Sequence, residues 1–255
     1  MKTYLSVVIS CYNEEANLKR GVLEEMSDYL KKQKYSWEVI ITDDESTDNS
    51  LRYLTDFAKK NQGFRILKIK HRGKAGGIQR GLKIARGSYI LFTDIDQSTP
   101  ISELAKLLPW AKKDYQVVIG SRGMDRENFP IFRQVGAVVF SVLRGALVLR
   151  EIKDTQCGFK LFEAKLVKKI FPGLDVLGKK ARGWTVTSYD VELLYMAKTK
   201  GAKIKEVLVD WGDEDISTSK GNNYLARYFK ESKNMAFQIL QVKLNQWRGK
   251  YSRQT

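Results

Sequence analysis

Short runs of β-favouring residues recur through the first half of the chain, each followed by a polar stretch of helical length. This alternation limits the fold more than any other feature. Leu5–Ser10, Trp37–Ile41, Arg65–Ile69, Tyr89–Phe92 and Gln116–Ile119 read as strands. Leu5–Ser10 and Tyr89–Phe92 have the near-continuous apolar character of buried strands, whereas Arg65–Ile69 alternates in polarity like an edge strand. One helix is expected from Asn13, as N-cap, to about Lys32, and a second after Asp48 to about Lys60. The Gly-rich loop His71–Gly77 feeds a third helix to about Arg86. Thr99 as N-cap and Pro100 at the first helical position open a fourth, to Lys113. Strands alternating with helices in this way predict an α/β fold with a mostly parallel, doubly wound sheet.

In such sheets ligands bind beyond the carboxyl ends of the strands, and the acids of this chain collect there. Tyr89–Phe92 runs into Thr93-Asp94-Ile95-Asp96, and Trp37–Ile41 into Thr42-Asp43-Asp44. Asp94 and Asp96, one residue apart at a strand end, suit a hard divalent cation such as Mg²⁺ or Mn²⁺, which takes one or two carboxylates plus substrate phosphates. Two acids in an ordinary strand-to-helix loop are the competing reading. The loop His71–Gly77 matches neither the dinucleotide fingerprint nor the P-loop, although its backbone amides could cradle a phosphate.

Other chemistries are excluded by residue type. Two cysteines, Cys11 and Cys157, make neither a disulfide framework nor a zinc cluster, and the single histidine, His71, rules out a multi-histidine metal site. The first apolar run is too short for a signal peptide, and no stretch approaches the roughly 18 apolar residues of a membrane span. A cytoplasmic protein, at most peripheral to a membrane, is therefore expected. The net charge of +16 favours an anionic partner, either nucleic acid or an anionic membrane. No helix-turn-helix, RRM or OB signature supports the nucleic-acid reading, which also leaves the Asp94/Asp96 strand end unexplained.

The second half is less regular. Pro130 to Arg150 is very apolar but interrupted by Arg133, Ser141 and Arg144. It reads either as a core helix or as a helix lying in a membrane interface, and apolar residues extending beyond one helical face favour the latter. Asp154–Phe162 is a loop entering a short strand, Tyr189–Thr199 a helix carrying Asp190 and Glu192, and Ile204–Val209 a late strand. Residues 221–255 form a basic tail in which Asn222 to Lys250 reads as a long amphipathic helix, docked either on the domain or on a membrane surface.

Taken in order, SVVISCYNEE, TDDESTDNS, HRGKAGGIQRG, FTDIDQSTP, GSR and DTQCGFKLF resemble the family 2 glycosyltransferases of GT-A fold. Among these they are most similar to the branch of dolichyl-phosphate glucosyltransferases and dolichol-phosphate mannose synthases. The resemblance covers roughly residues 4 to 220. DTQCGFKLF and GWTVTSYDVELL lean to the glucosyltransferase side. Three positions depart from the family pattern: Ser10 stands for a proline, Glu45 for a glycine and Gln97 for a leucine.

The resemblance implies a GT-A domain over 1–220. Residues to about 120 would bind a nucleotide sugar, UDP-glucose ahead of GDP-mannose, and residues 121–220 the acceptor. Tyr12, Asn13, Glu15, Asp43, Asp44 and Lys74 would hold the donor, and Asp96, helped by Asp94, the Mg²⁺ or Mn²⁺ on its diphosphate. The acceptor implied is a polyprenyl phosphate, gripped by Arg122, Arg133 or Lys220, because arginine can clasp phosphate with two hydrogen bonds. That acceptor arrives deprotonated and needs no strong base. A sugar hydroxyl as acceptor is the alternative, and would require Asp190 as the base.

Overall fold

The computed structural model describes residues 2–123, 149, 151–178, 189–212, 216, 237 and 239–251. Seven strands form one sheet: β1 (Leu5–Cys11), β2 (Trp37–Asp43), β3 (Phe64–Lys68), β4 (Tyr89–Phe92), β5 (Val117–Ser121), β6 (Lys160–Glu163) and β7 (Ile204–Leu208). Their order is β3-β2-β1-β4-β6-β5-β7. β3, β2, β1 and β4 run parallel, with Leu5 opposite both Trp37 and Tyr89. β6 is antiparallel to β4 and β5 on either side, and β7 pairs parallel with β5. The expected doubly wound sheet is present, with β3 at an edge.

Side chains alternate between two cores, as the period of a strand requires. Val8, Ile40, Ile90, Phe92 and Phe162 face one layer, and Val7, Ile9, Val39, Ile41, Leu91 and Leu161 the other. Helix α4 (Gly73–Ile84), α6 (Ala164–Ile170) and α7 (Tyr189–Thr199) contribute to the first layer. The second holds α1 (Glu15–Leu18), α2 (Val22–Lys31), α3 (Ser50–Lys60) and α5 (Leu104–Ala111). Truncating one of these fully buried leucines or isoleucines to alanine would cost about 2–5 kcal/mol.

Four local expectations are corrected. The single helix from Asn13 to Lys32 is broken into α1 and α2 at Gly21, whose φ is 85°. Asn13 is no N-cap: at φ 55° its Oδ1 accepts from the Thr47 amide instead. His71–Gly77 is not one loop, because α4 begins at Gly73. Gly77 serves packing, since a Cβ there would lie 2.3 Å from Ser10 Oγ and 2.8 Å from Thr42 Oγ1. Thr99 makes no capping bond. A 3₁₀ turn begins at Ile101 with Pro100 as its N-cap, and Gln97 Oε1 accepts the Ile101 amide.

The 130–150 segment lies outside the described residues except Leu149, which is buried in the first layer. Of the tail, 239–247 is helical. No helix among the described residues is long and apolar enough to cross a membrane.

Candidate active site

β1 pairs with β4 only as far as Val8 and Phe92, so Ile9–Cys11 run past the end of β4 beside β2 alone. In such a sheet a crevice opens between the chain leaving β1 and the chain leaving β4, because the strand order reverses there.

One wall consists of the loops after β1 and β2, which are laced together. Asn13 Oδ1 accepts from Thr47 N at 2.8 Å, and the Asn13 amide donates to Ser46 Oγ at 3.0 Å. Glu15 Oε2 accepts from both the amide and the side chain of Asn49. The Lys19 ammonium on Glu15, together with Asn49, holds the Glu15 carboxyl at about 2. Asn13 and Glu15 thus have partners within the protein. Asp43 differs: its Oδ2 accepts the Ser46 amide, while its buried Oδ1 has no hydrogen-bond partner among the described residues.

Asp44 is buried and holds the start of α4. It accepts from the amides of Arg72 at 2.7 Å and Gly73 at 2.8 Å, and faces His71 Nδ1 at 3.0 Å. Burial raises its pKa, against the pull of those donors. The amides expected to cradle a phosphate are therefore capped by a carboxylate. The His71 amide donates to Glu45, which takes φ 65° where the family pattern has glycine. The Tyr12 ring lies 4.8 Å from the His71 ring, so Tyr12, Asp44, Glu45 and His71 form one cluster.

The other wall follows β4. Lys74, in the first turn of α4, reaches across the crevice to Asp94, with Nζ 2.5 Å from Oδ1. Loss of water around its ammonium opposes the charge, although the side chain is 42 % exposed, but Asp94, with Tyr189 and Asp190 beyond, outweighs that and raises the Lys74 pKa above the ordinary lysine value. Asp96 accepts the Ser98 amide at 3.0 Å, and its carbonyl accepts Arg20 Nη2 at 2.8 Å. Burial, then the neighbouring Asp94 charge, raises its pKa. Gln97, at φ 53°, donates from Nε2 to the Asp94 carbonyl at 2.9 Å and so braces the turn from the position where the family has leucine. Asp94 and Asp96 suit a divalent cation, but no group of three or more His, Cys, Asp or Glu among the described residues would hold one. Two carboxylates match a metal that shares its coordination with a diphosphate and water.

The floor comes from the loop before β6. Gly158 lies so close to Asp94 that a Cβ would sit 2.0 Å from Asp94 Oδ2. Asp154 binds the Arg122 Nε at 2.7 Å and Nη2 at 2.9 Å, as well as the Gln156 and Cys157 amides. Burial would raise its pKa, but Arg122 overrides burial and holds the Asp154 carboxyl well below the usual carboxylate range. The bidentate fork of Arg122 is thus turned to Asp154, and its guanidinium lies over Trp211, 5.5 Å from the ring centre. Lys160, 1 % exposed, donates to Asp190 Oδ1 at 2.6 Å and to the Cys157 carbonyl. Glu192 points elsewhere, to the Asp175 amide and the Tyr251 hydroxyl. Arg133 and Lys220, the other expected phosphate ligands, lie outside the described residues.

Asp154, Gly158, Lys160, Arg20 and the His71 side chain were not singled out as site residues from sequence. A lysine inside a short apolar strand, Phe159-Lys160-Leu161-Phe162, was the available signal.

This crevice, with paired carboxylates at the sheet's switch point, is the architecture of a sugar-transferring GT-A enzyme. The Glycosyl transferase family 2 model matches residues 6–171, and the chain belongs to that family. It is 33% identical over 233 residues to the dolichyl-phosphate beta-glucosyltransferase of Dictyostelium discoideum, covering 84% of this chain and 68% of that one. To the human dolichyl-phosphate beta-glucosyltransferase it is 32% identical over 267 residues, covering 98% and 79%. Among solved structures, the glucosyl-3-phosphoglycerate synthase of Mycobacterium tuberculosis with Mn²⁺, uridine diphosphate and glucosyl-3-phosphoglycerate superposes with a TM-score of 0.59. That match has 17% identity and covers 96% of this chain and 79% of that one.

Proposed function

We propose that the protein transfers glucose, with inversion, from UDP-glucose to the phosphate of a polyprenyl phosphate at a membrane surface. The observation that carries the choice of acceptor is the Lys160–Asp190 ion pair. Asp190 is the acid a hydroxyl acceptor would need as base, and its Oδ1 is already engaged by a buried ammonium 2.6 Å away, which competes with any hydroxyl for its lone pairs. A phosphate acceptor, already largely dianionic, needs no such base. The names of the relatives, dolichyl-phosphate beta-glucosyltransferases, point to the same acceptor and sugar.

In this reading Asp43 Oδ1 accepts an N–H of the donor's base, and the Tyr12–His71 pair forms an aromatic wall beside it. Asp96 and Asp94 would hold Mg²⁺ or Mn²⁺, which would supply Lewis-acid stabilisation of the leaving nucleoside diphosphate. Lys74 neutralises Asp94 and lies where a diphosphate oxygen would meet it. Gly158 admits the Asp94 carboxylate to the floor, and Arg122, held by Asp154, would border the acceptor side.

The test is lipid-extractable transfer. Protein, Mn²⁺ and a short polyprenyl phosphate are incubated with labelled UDP-glucose and, in parallel, GDP-mannose. Label in the organic phase from UDP-glucose is expected. Label from GDP-mannose alone would overturn the sugar, and label only in a water-soluble saccharide would overturn the acceptor.

A further inference from the structure

The C-terminal helix is apolar on two opposite sides, and among the described residues only one of them is covered by the domain. Ile239 and Val242 are buried against the first core layer, and Tyr251 closes the same contact with its ring 5.3 Å from that of Tyr195 on α7. Polar bonds lock the helix in rotation. Asp175 takes Gln241 Nε2 at 3.3 Å and also binds Asn245 and Lys250, while the Tyr251 hydroxyl donates to Glu192 of α7 at 3.0 Å.

With that side fixed, Phe237, Leu240, Leu244 and Trp247 are turned outward, 63%, 51%, 45% and 74% exposed. They are spaced three, four and three residues apart, which puts them in one stripe along the helix. Seven large apolar side chains are exposed among the described residues, and four of them are in this stripe, so it is a patch rather than scatter.

We propose that this stripe is a membrane-docking face that lies in the headgroup region of an anionic bilayer. The charge around it is complementary to such a surface: residues 232–255 contain five basic side chains and no acid. Phe and Trp beside leucines, with Lys243 and Arg248 alongside, are the side chains that favour the boundary between acyl chains and headgroups. The latch to Glu192 has a functional consequence. Glu192 lies two residues from Asp190, so α7 ties the height of the crevice above the lipid to the helix that rests on it. A polyprenyl phosphate, whose phosphate sits at the headgroup level, is then met at a set distance. The choice of a lipid surface rests on the acceptor reading above.

The test is sedimentation with vesicles, in the absence of sugar nucleotide. Full-length protein is mixed with phosphatidylcholine vesicles carrying about one third phosphatidylglycerol, and with phosphatidylcholine vesicles alone. Binding to the anionic vesicles is expected, and Leu240→Gln/Leu244→Gln should weaken it about tenfold or more. Both positions are exposed, so the variant should keep its melting temperature and its affinity for uridine diphosphate. Trp247→Phe, which keeps the stripe apolar, should bind within about threefold of wild type. Absence of wild-type binding, or equal binding by the double glutamine variant, overturns the proposal. So does a wild-type dimer that the double variant dissolves, because the face would then belong to a second copy. Vesicle binding with no lipid-linked sugar would overturn the acceptor reading and leave the docking face standing.

Discussion

The ammonium of Lys160 and the carboxylate of Asp190 lie 2.6 Å apart, with Lys160 1 % exposed and set between two antiparallel partners in the sheet. Lys160 →Met would leave Asp190 a buried, unpaired charge and should cost about 3–5 kcal/mol. Urea denaturation at pH 7 measures it, and a cost below about 1 kcal/mol would mean that the pair is hydrated. Asp190→Asn should lower transfer to a polyprenyl phosphate by about tenfold without abolishing it. The loss expected for removal of a general base is about 10²–10⁴-fold.

Asp96 is the less encumbered carboxylate of the crevice, since Lys74 is committed to Asp94. Asp96→Ala should reduce metal-dependent turnover by at least about 10²-fold, the scale of losing an electrostatic stabiliser of the leaving group. The fold should survive, because the side-chain bonds it makes to Ser98 are local to the turn. Normal turnover in a variant with an unchanged far-UV spectrum would remove Asp96 from the site.

Gly158→Ala tests the floor. The new methyl would overlap Asp94 Oδ2, so either the carboxylate or the loop must shift. The variant should lose about 10²-fold in turnover, as a displacement of about 1 Å in a site group typically does. The accompanying destabilisation should be about 1–3 kcal/mol. Unaltered kinetics would show that Asp94 can take another rotamer without consequence.

Asp154 supplies a pH dependence. Its folded pKa is depressed, so its ion pair with Arg122 contributes fully above the unfolded carboxyl pKa of about 3.9. The contribution is lost as pH falls toward the folded value. Asp154→Asn should therefore cost about 3–5 kcal/mol near neutrality, with the gap to wild type closing below about pH 4. Denaturation curves for both proteins between neutral and acid pH give the comparison. A gap that stays constant through that range would place the cost in the lost amide bonds to Gln156 and Cys157.

Much of the frame was legible in advance because its signals are local. The helix Tyr189–Thr199 matched its expected bounds, and β1, β2 and β4 each appeared where their apolar runs are. The strand-end position of Asp94 and Asp96 followed from the same pattern. The pattern is less legible where a residue type has two uses. Gly77 lies in a stretch that reads as a loop but admits α4 to the sheet against Ser10. Asp44, expected at the donor, also caps that helix. Arg122, expected at the acceptor phosphate, is held by Asp154.

The sequence by itself determined the layered α/β fold, the strand ends that carry acids and the family, because period-two and period-3.6 patterns and ordered motifs need no knowledge of distant partners. Only the tertiary structure decided which polar partners meet: Lys74 with Asp94, Arg122 with Asp154, Lys160 with Asp190 and Glu192 with Tyr251. These partners are 20 to 59 residues apart in the chain. They are matched by the order in which strands assemble and by the close approach that Gly77 and Gly158 permit, and no local pattern encodes either.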